Sequence, residues 1–416
     1  MKLKSIQIAI FLILCTLKTI AQDSLIVTLN KADELFIKNN LQILAQELNI
    51  NNSKAQEIQA KLYPNPNVTL EVNAYDPQNK KVFHVGNGGQ SSFQIQQLIL
   101  LGGKRDKEIK LAKTNTKIAE LVFEDLIRQL KFQLHSLLRA CFQQEILIKK
   151  YDLQINQLDT IITSFETQVN KNNLPLKDLI RLKSLSIQLS NERSELYKNK
   201  TLLMNDLQVL LNTKSYIIPE ITYTEQYYIK NIKSDTLLKL AQSNRPDYKI
   251  VLENQTLAEQ YIKFQRSLAV PDVSVYSSYN QRGGAFYNEI NAGVTMQLPV
   301  FNRNQGNILI AKNEKKLAQL NQKQLLLSIE NEILNNINIY EQSKKEYLKV
   351  NDLYSKDFDF TFKSISENFK KRNISLLEFV DFFEAYNNTQ VEMYKSKLNL
   401  FNSAEMLNYS VSQDLF

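Results

Sequence analysis

Few side chains of this 416-residue sequence are suited to chemistry, and their spacing limits what they could do. There are two histidines, His84 and His135, and two cysteines, Cys15 and Cys141. Imidazole and thiolate groups act as metal ligands or catalytic pairs only when they converge with each other or with acids. His84 falls in a loop and His135 in a helical stretch, and neither has a cysteine or an acidic cluster at ligand spacing beside it. No metal centre, no histidine-based catalysis and no cofactor are expected. The glycines at 86 to 89 precede a strand pattern, whereas a phosphate cradle precedes a helix, so a loop tip is the expected structure. Leu101-Gly102-Gly103 before Lys104-Arg105 has the make-up of an anion nest, but a turn from strand to helix accounts for the same glycines. The carboxylates Glu378 and Asp381 remain. Three residues apart on a helical pattern, they share one face. Gathered from several copies at a constriction they would concentrate cations and repel anions. As lone residues they would be the solvated face of an amphipathic helix.

The elements that position these groups are long. From Lys104 to Val169 there is neither proline nor glycine, and Leu147, Tyr151, Ile155, Leu158, Ile162, Phe165 and Val169 follow the 3-4 spacing of a coiled-coil seam. About 66 residues at a rise of 1.5 Å make a helical rod of roughly 100 Å. A break at Lys171-Asn172-Asn173-Leu174-Pro175 precedes a second helical pattern through Leu176, Leu179, Leu182, Leu185 and Leu189, so the rod is one arm of a hairpin. Upstream, a helical pattern runs from Leu29 to about Leu62 and stops at Pro64 and Pro66.

After those prolines the period becomes two. Val68, Leu70, Val72 and Ala74 alternate with Thr69, Glu71 and Asn73, and a less clean strand spans Ser91 to about Leu100. The same order recurs further on. A helix opens at Pro246 and ends near Pro271; strands follow at 272–280 and 288–298; a second long helix spans about 305–370 and turns at Arg372-Asn373-Ile374-Ser375. Gln97-Leu98 corresponds to Gln297-Leu298, and Asn173-Leu174-Pro175-Leu176 to Asn373-Ile374-Ser375-Leu376, each pair 200 positions apart. The chain is a tandem duplication. Its expected parts are a first repeat over 22–212 (strands 67–75 and 91–100, long helix 104–170, tip 171–175), a linker over 213–230, and a second repeat over 231–416 with its tip at 371–375.

The opening residues have another role. Lys2 and Lys4 precede an apolar run from Ile8 to Leu17, and Thr19-Ile20-Ala21 supplies the small residues of a cleavage site, so 1–21 is expected to be a secretory signal cut after Ala21. Leu14, ahead of Cys15, is bulkier than a lipoprotein signal favours. A formal charge of +8 is spread along helices in alternation with acids, the pattern of a solvated face, and nucleic acid is not an expected partner. No stretch beyond the leader has 18 consecutive apolar residues. Strands of about 9 to 11 residues with one apolar face are long enough to cross a bilayer in a barrel, but small barrels need about eight strands. Four must be completed by other chains.

These residues resemble the TolC family of outer-membrane efflux channels over the whole mature chain. Leu101-Gly102-Gly103-Lys104-Arg105, Asn244-Arg245-Pro246-Asp247 and Leu298-Pro299-Val300-Phe301-Asn302-Arg303-Asn304-Gln305-Gly306 resemble its CzcC-like branch, which exports heavy-metal cations. The resemblance implies a mainly α protein with a small β part: a homotrimer in outer-membrane lipid, its 12-stranded barrel built from four strands per chain above a periplasmic helical tunnel. It implies docking to a periplasmic adaptor and an inner-membrane pump of the resistance-nodulation-division (RND) type, with drugs or other organic solutes as the alternative cargo. The docking tips would be Asn173, Leu174, Pro175 and Leu176 with Asn373, Ile374, Ser375 and Leu376, and the periplasmic gate Glu378 and Asp381. The glycine common before the family's turn is here Asn172 or Arg372. A secreted coiled-coil adhesin would share the long hairpins but has no need of matched strand pairs.

Overall fold

The computed structural model describes residues 24–222, 225–283, 285–354 and 357–416. The expected leader, including its cleavage point, lies outside them. In chain order the elements are β1 (Ser24–Val27), α1 (Leu29–Asn39), α2 (Leu41–Ala60), β2 (Asn67–Val72), β3 (Tyr75–Asp76), β4 (Lys81–Val82), β5 (Ser91–Ile99), α3 (Lys104–Asn170) and α4 (Leu176–Leu211). The second half holds β6 (Tyr216–Pro219), α5 (Ser234–Asn244), α6 (Pro246–Leu268), β7 (Val273–Arg282), β8 (Tyr287–Met296), α7 (Gln305–Leu353), α8 (Asp357–Lys370) and α9 (Leu376–Val411). None of the described helices is long and apolar enough to cross a membrane.

Two compact units share these elements. The first gathers residues up to Leu44, Ile127–Leu237 and Glu332–Phe416; the second consists of Ala45–Leu126 and Leu238–Asn331.

The second unit holds a four-stranded antiparallel sheet in the order β2-β5-β7-β8. Directly paired residues share a face, so the register sorts the side chains into rows. One face carries the row Leu70, Phe93, Tyr279, Ile290 and the row Val68, Ile95, Ser277, Ala292; the other carries Thr69, Gln94, Ser278, Asn291 and Glu71, Ser92, Asn280, Glu289. Leu70 and Ile290 are three-quarters exposed, so this apolar face covers no core of its own chain. Among the described residues no strand lies beyond β2 or β8. The sheet turns into α3 through Gly102 and Gly103, both at positive φ. A Cβ on Gly102 would lie 2.9 Å from Cβ of Val270, so glycine is required there by backbone conformation and by space. Behind the turn, α3, α6 and α7 are joined by polar contacts: Thr114 to Gln260 at 2.9 Å, Gln255 to Gln322 at 2.6 Å and Lys315 to Glu259 at 2.8 Å.

In the first unit, β1 and β6 form a parallel two-stranded ribbon. Neither was legible in the sequence, which suggested only a linker around β6. Where one helix is expected from Leu29 to Leu62, the chain breaks at Asn40. The Asn40 carboxamide donates to the carbonyl of Leu210 at 2.8 Å and accepts from the amides of Gln42 and Ile43, which caps α2 and restarts it. The break at Arg245 has a different cause: Pro246 has no amide hydrogen and suits a first helical position. A hydrophobic core of this unit joins Tyr151, Ile155, Leu158 and Ile161 of α3 with Leu182, Leu185 and Leu189 of α4 and with Phe362, Phe369, Phe379 and Phe383 of α8 and α9. This is the seam predicted from Leu147 to Val169, with a second hairpin packed against the first.

Candidate functional site: the hairpin tips and the acids behind them

Each tip is made by a residue that leaves the helical conformation for the left-handed one. Asn172 has φ 57° and Arg372 has φ 62°. The positions where glycine is common keep the geometry of glycine. In the first tip the amide of Asn172 donates to the carbonyl of Val169, the amide of Asn173 to that of Gln168, and the Asn173 side chain to the Gln168 side chain, each at 2.9 Å. In the second, Arg372 donates to Phe369 and Asn373 to Asn368 at 2.9 Å, and the Asn373 side chain reaches Asn368 at 3.1 Å. These bonds satisfy helix-end carbonyls that would otherwise lack partners. The two repeats thus end in the same hydrogen-bonded turn, 200 positions apart.

The returning helices start differently. Pro175 precedes α4 without a side-chain cap. Ser375 caps α9 in a reciprocal box: its hydroxyl accepts from the Glu378 amide at 3.2 Å and its own amide donates to the Glu378 carboxylate at 2.8 Å. The bond from the Ser375 backbone holds the Glu378 pKa below its ordinary value. Of the two gate candidates, then, Glu378 has a structural task, while Asp381 is exposed on the same helix. At the matching positions of the first tip are Asp178, half-buried, and Arg181, exposed.

The tips are less exposed than their sequence suggests. Ile374 and Leu376 pack against the aromatic core, and Leu174 is half-buried in a cleft of about 280 Å³ that it shares with Phe165, Phe369 and Arg372. The rings of Phe369 and Phe379 stack at 4.2 Å, and those of Phe165 and Phe369 at 5.4 Å. Leu176 and Leu377 are the tip leucines that remain open, 59% and 58% exposed.

Sequence reasoning missed two polar clusters because their members lie on separate helices. His135 is buried, and acids converge on it from both ends of the chain: Nε2 lies 2.8 Å from Asp33 and Nδ1 lies 3.0 Å from Glu405, which also accepts from Arg139 at 2.8 Å. Burial alone would raise the Glu405 pKa, but hydrogen bonds and charge from His135 and Arg139 outweigh it and bring the pKa down to about 2. Behind the second tip, Asp359 accepts from Tyr354 at 3.0 Å and from Tyr386 at 2.6 Å. Burial and that carboxylate raise the Tyr354 pKa to about 12. Gln390 donates to Tyr354 at 3.1 Å and to Asp359 at 3.3 Å, and its spacing of four from Tyr386 puts both on one face of α9. The nest-like Lys104 is also accounted for, since its ammonium pairs with Asp272 at 2.6 Å. His84 is bonded within its loop to Asp76, at 2.7 Å.

Solved outer-membrane channels have a similar fold. The chain shares its fold with the Campylobacter jejuni CmeC outer membrane channel (TM-score 0.74, 16% identity, 93% of this chain and 87% of that one). It shares it equally with the Neisseria gonorrhoeae MtrE outer membrane channel in its open state (TM-score 0.70, 15% identity, 93% and 89%). The third match is CusC, described for its folding and transmembrane channel formation (TM-score 0.73, 14% identity, 92% and 91%). At these identities the likeness is one of fold. No family model matches the sequence, and no curated protein does.

Proposed function

We propose that this chain is one protomer of a homotrimeric outer-membrane channel, a passive duct that receives heavy-metal cations from an RND-type inner-membrane pump through a periplasmic adaptor. The observation that carries the reading is the sheet. Its apolar face is exposed along paired rows, its opposite face is lined with amides, hydroxyls and carboxylates, and among the described residues no strand pairs with either of its edges. In water such a sheet is an aggregation hazard; in a barrel closed by further copies the apolar face meets lipid, the polar face lines a lumen and the edges disappear. The fold shared with CmeC and MtrE supports the same assignment. The two hydrogen-bonded tips are the adaptor-docking ends. Asp381, with the charge of Glu378 beside it, is the candidate for the periplasmic gate. No step requires chemistry on a substrate, so the protein is not an enzyme.

The cargo is tested by export. Cells lacking the chain, loaded with zinc, cobalt or cadmium ions, should retain the metal and release it when the chain is restored. Release of an organic dye without release of metal would assign the duct to organic solutes instead.

A further inference from the structure

The loop that joins β2 to β5 is built from its own hydrogen bonds. β2 follows α2 and β5 leads into α3, so residues 73–90 lie at the end of the sheet opposite those helices. Asp76 is buried in the loop and accepts from the amides of Gln78 at 2.9 Å and Asn79 at 3.0 Å, from the Asn79 carboxamide at 2.8 Å and from Nδ1 of His84 at 2.7 Å. The amide of Phe83 donates to the carbonyl of Ala74 and that of Gln90 to His84, both at 3.1 Å. A Cβ on Gly89 would fall 2.2 Å from the His84 carbonyl oxygen, so the chain closes tightly there. From β7, the side chains of Gln281 and Arg282 donate to the carbonyls of Gly86 at 2.5 Å and Gly88 at 3.1 Å. With its backbone groups satisfied in this way, the loop is a fixed platform.

What the platform displays is apolar and positive. Tyr75, Val82, Phe83 and Val85 are all more than half exposed, and Tyr75 is paired with Val82 across β3 and β4, which puts both on one face. Phe83 is held at φ 48°, a left-handed conformation that is costly for a bulky side chain, although its exposed ring covers no core of this chain. The exposed charges have one sign. Lys80 and Lys81 are exposed and have no ion-pair partner among the described residues, and the single acid between positions 73 and 90 is the buried Asp76. On the helices of the same unit lysines pair with acids, Lys117 with Glu253 at 2.5 Å and Lys315 with Glu259 at 2.8 Å.

We infer that this loop is a lipid-binding platform: Lys80 and Lys81 take a phosphate of an outer-leaflet lipid headgroup, and Tyr75, Val82, Phe83 and Val85 sit at the headgroup boundary beside it. Two observations select a lipid. The lysines are complementary to phosphate, and aromatic side chains beside unpaired lysines suit the interface between headgroups and hydrocarbon. The platform also continues the strand whose exposed row Val68, Leu70 and Val72 meets hydrocarbon in the reading above, so a headgroup layer is what the chain reaches next. The strained, exposed Phe83 then has a use, since its ring is directed away from the loop and toward that layer. The inference rests on the outer-membrane reading and adds which lipid chemistry is recognised and by which residues.

Lipid A, a phosphorylated glycolipid, is the probe, titrated against full-length, detergent-extracted protein and counted by native mass spectrometry. Lys80→Asn with Lys81→Gln should weaken binding by about twentyfold, roughly fivefold for each charge removed near an anionic surface. Both lysines are exposed, so the pair of substitutions leaves the packing of the chain intact. Phe83→Asn should also weaken binding without lowering thermal stability, because asparagine accepts the left-handed conformation. Inorganic phosphate in large excess should not displace the lipid; displacement would show a site for free phosphate and overturn the lipid assignment. Binding unchanged in the double lysine variant overturns the inference. Membrane fractionation separates that failure from failure of the channel reading. Unaltered chain recovered in the outer-membrane fraction, with lipid A bound independently of the lysines, leaves the channel standing, whereas its absence from that fraction overturns the outer-membrane reading itself.

Discussion

His135 forms bonds to carboxylates at both ring nitrogens, which requires both nitrogens to donate and therefore the imidazolium form. Burial alone would lower its pKa; the bonds to Asp33 and Glu405 outweigh burial and raise it above its ordinary value. A group whose pKa rises on folding stabilises the fold fully below its unfolded value, and that contribution is lost as pH climbs through the folded value. Thermal unfolding should therefore show stability falling with pH above neutrality. His135→Ala should flatten that slope and cost about 3 kcal/mol, as for a buried ionic partner removed. At the second tip, Arg372 holds a left-handed conformation that costs an ordinary residue about 1 kcal/mol, so Arg372→Gly should raise the unfolding free energy by about that much in denaturant titration. The gate can be probed without breaking the helix cap. Glutamine satisfies a capping box as glutamate does, so Glu378→Gln with Asp381→Asn removes two charges and keeps the start of α9. Block of the channel by divalent cations from the periplasmic side should weaken in that variant; unchanged block and selectivity would show that this face does not line the pore.

The proposed docking at the tips is a matter of the hairpins, and burial decides which substitutions can test it. Because Ile374 packs on the core, replacing it with aspartate would damage the fold along with any interface. Leu176→Asp and Leu377→Asp act on open side chains, so together they should abolish export while leaving helix content and oligomer mass unchanged. Export that survives the pair would place docking elsewhere. Much at this scale was legible from periodicity. The long seam on α3, the alternation in β2 and β8 and the 200-residue correspondence of the tips each repeat a local rule many times, so single exceptions could not hide them. Short elements and long-range polar contacts were not legible. β1 and β6 have four residues each, too few for a period to show, and pair across most of the first repeat. The helix break at Asn40 depends on the Leu210 carbonyl, and the acids on His135 come from positions 102 and 270 residues away. The burial of Ile374 was likewise hidden, because it depends on aromatic residues from other helices.

For the whole molecule, the proposed reading has the two faces of the sheet meeting two media. Val294 lies on the apolar face, two-thirds exposed, and Gln94 on the polar one. Arginine on a lipid face costs about 2–4 kcal/mol near the bilayer midplane, whereas a lumen tolerates it. Val294→Arg should reduce recovery in the outer-membrane fraction, and Gln94→Arg should leave recovery intact and shift ion selectivity. Reversed effects would invert the assignment of the faces. The exposed apolar face and the edges of β2 and β8 are the surfaces that the proposed oligomer would cover. The most direct measurement of this account is single-channel recording from the purified, natively extracted protein in planar bilayers. Discrete, cation-selective conductance steps from an oligomeric particle are the predicted result, and a folded, oligomeric protein that inserts but conducts no ions would contradict it.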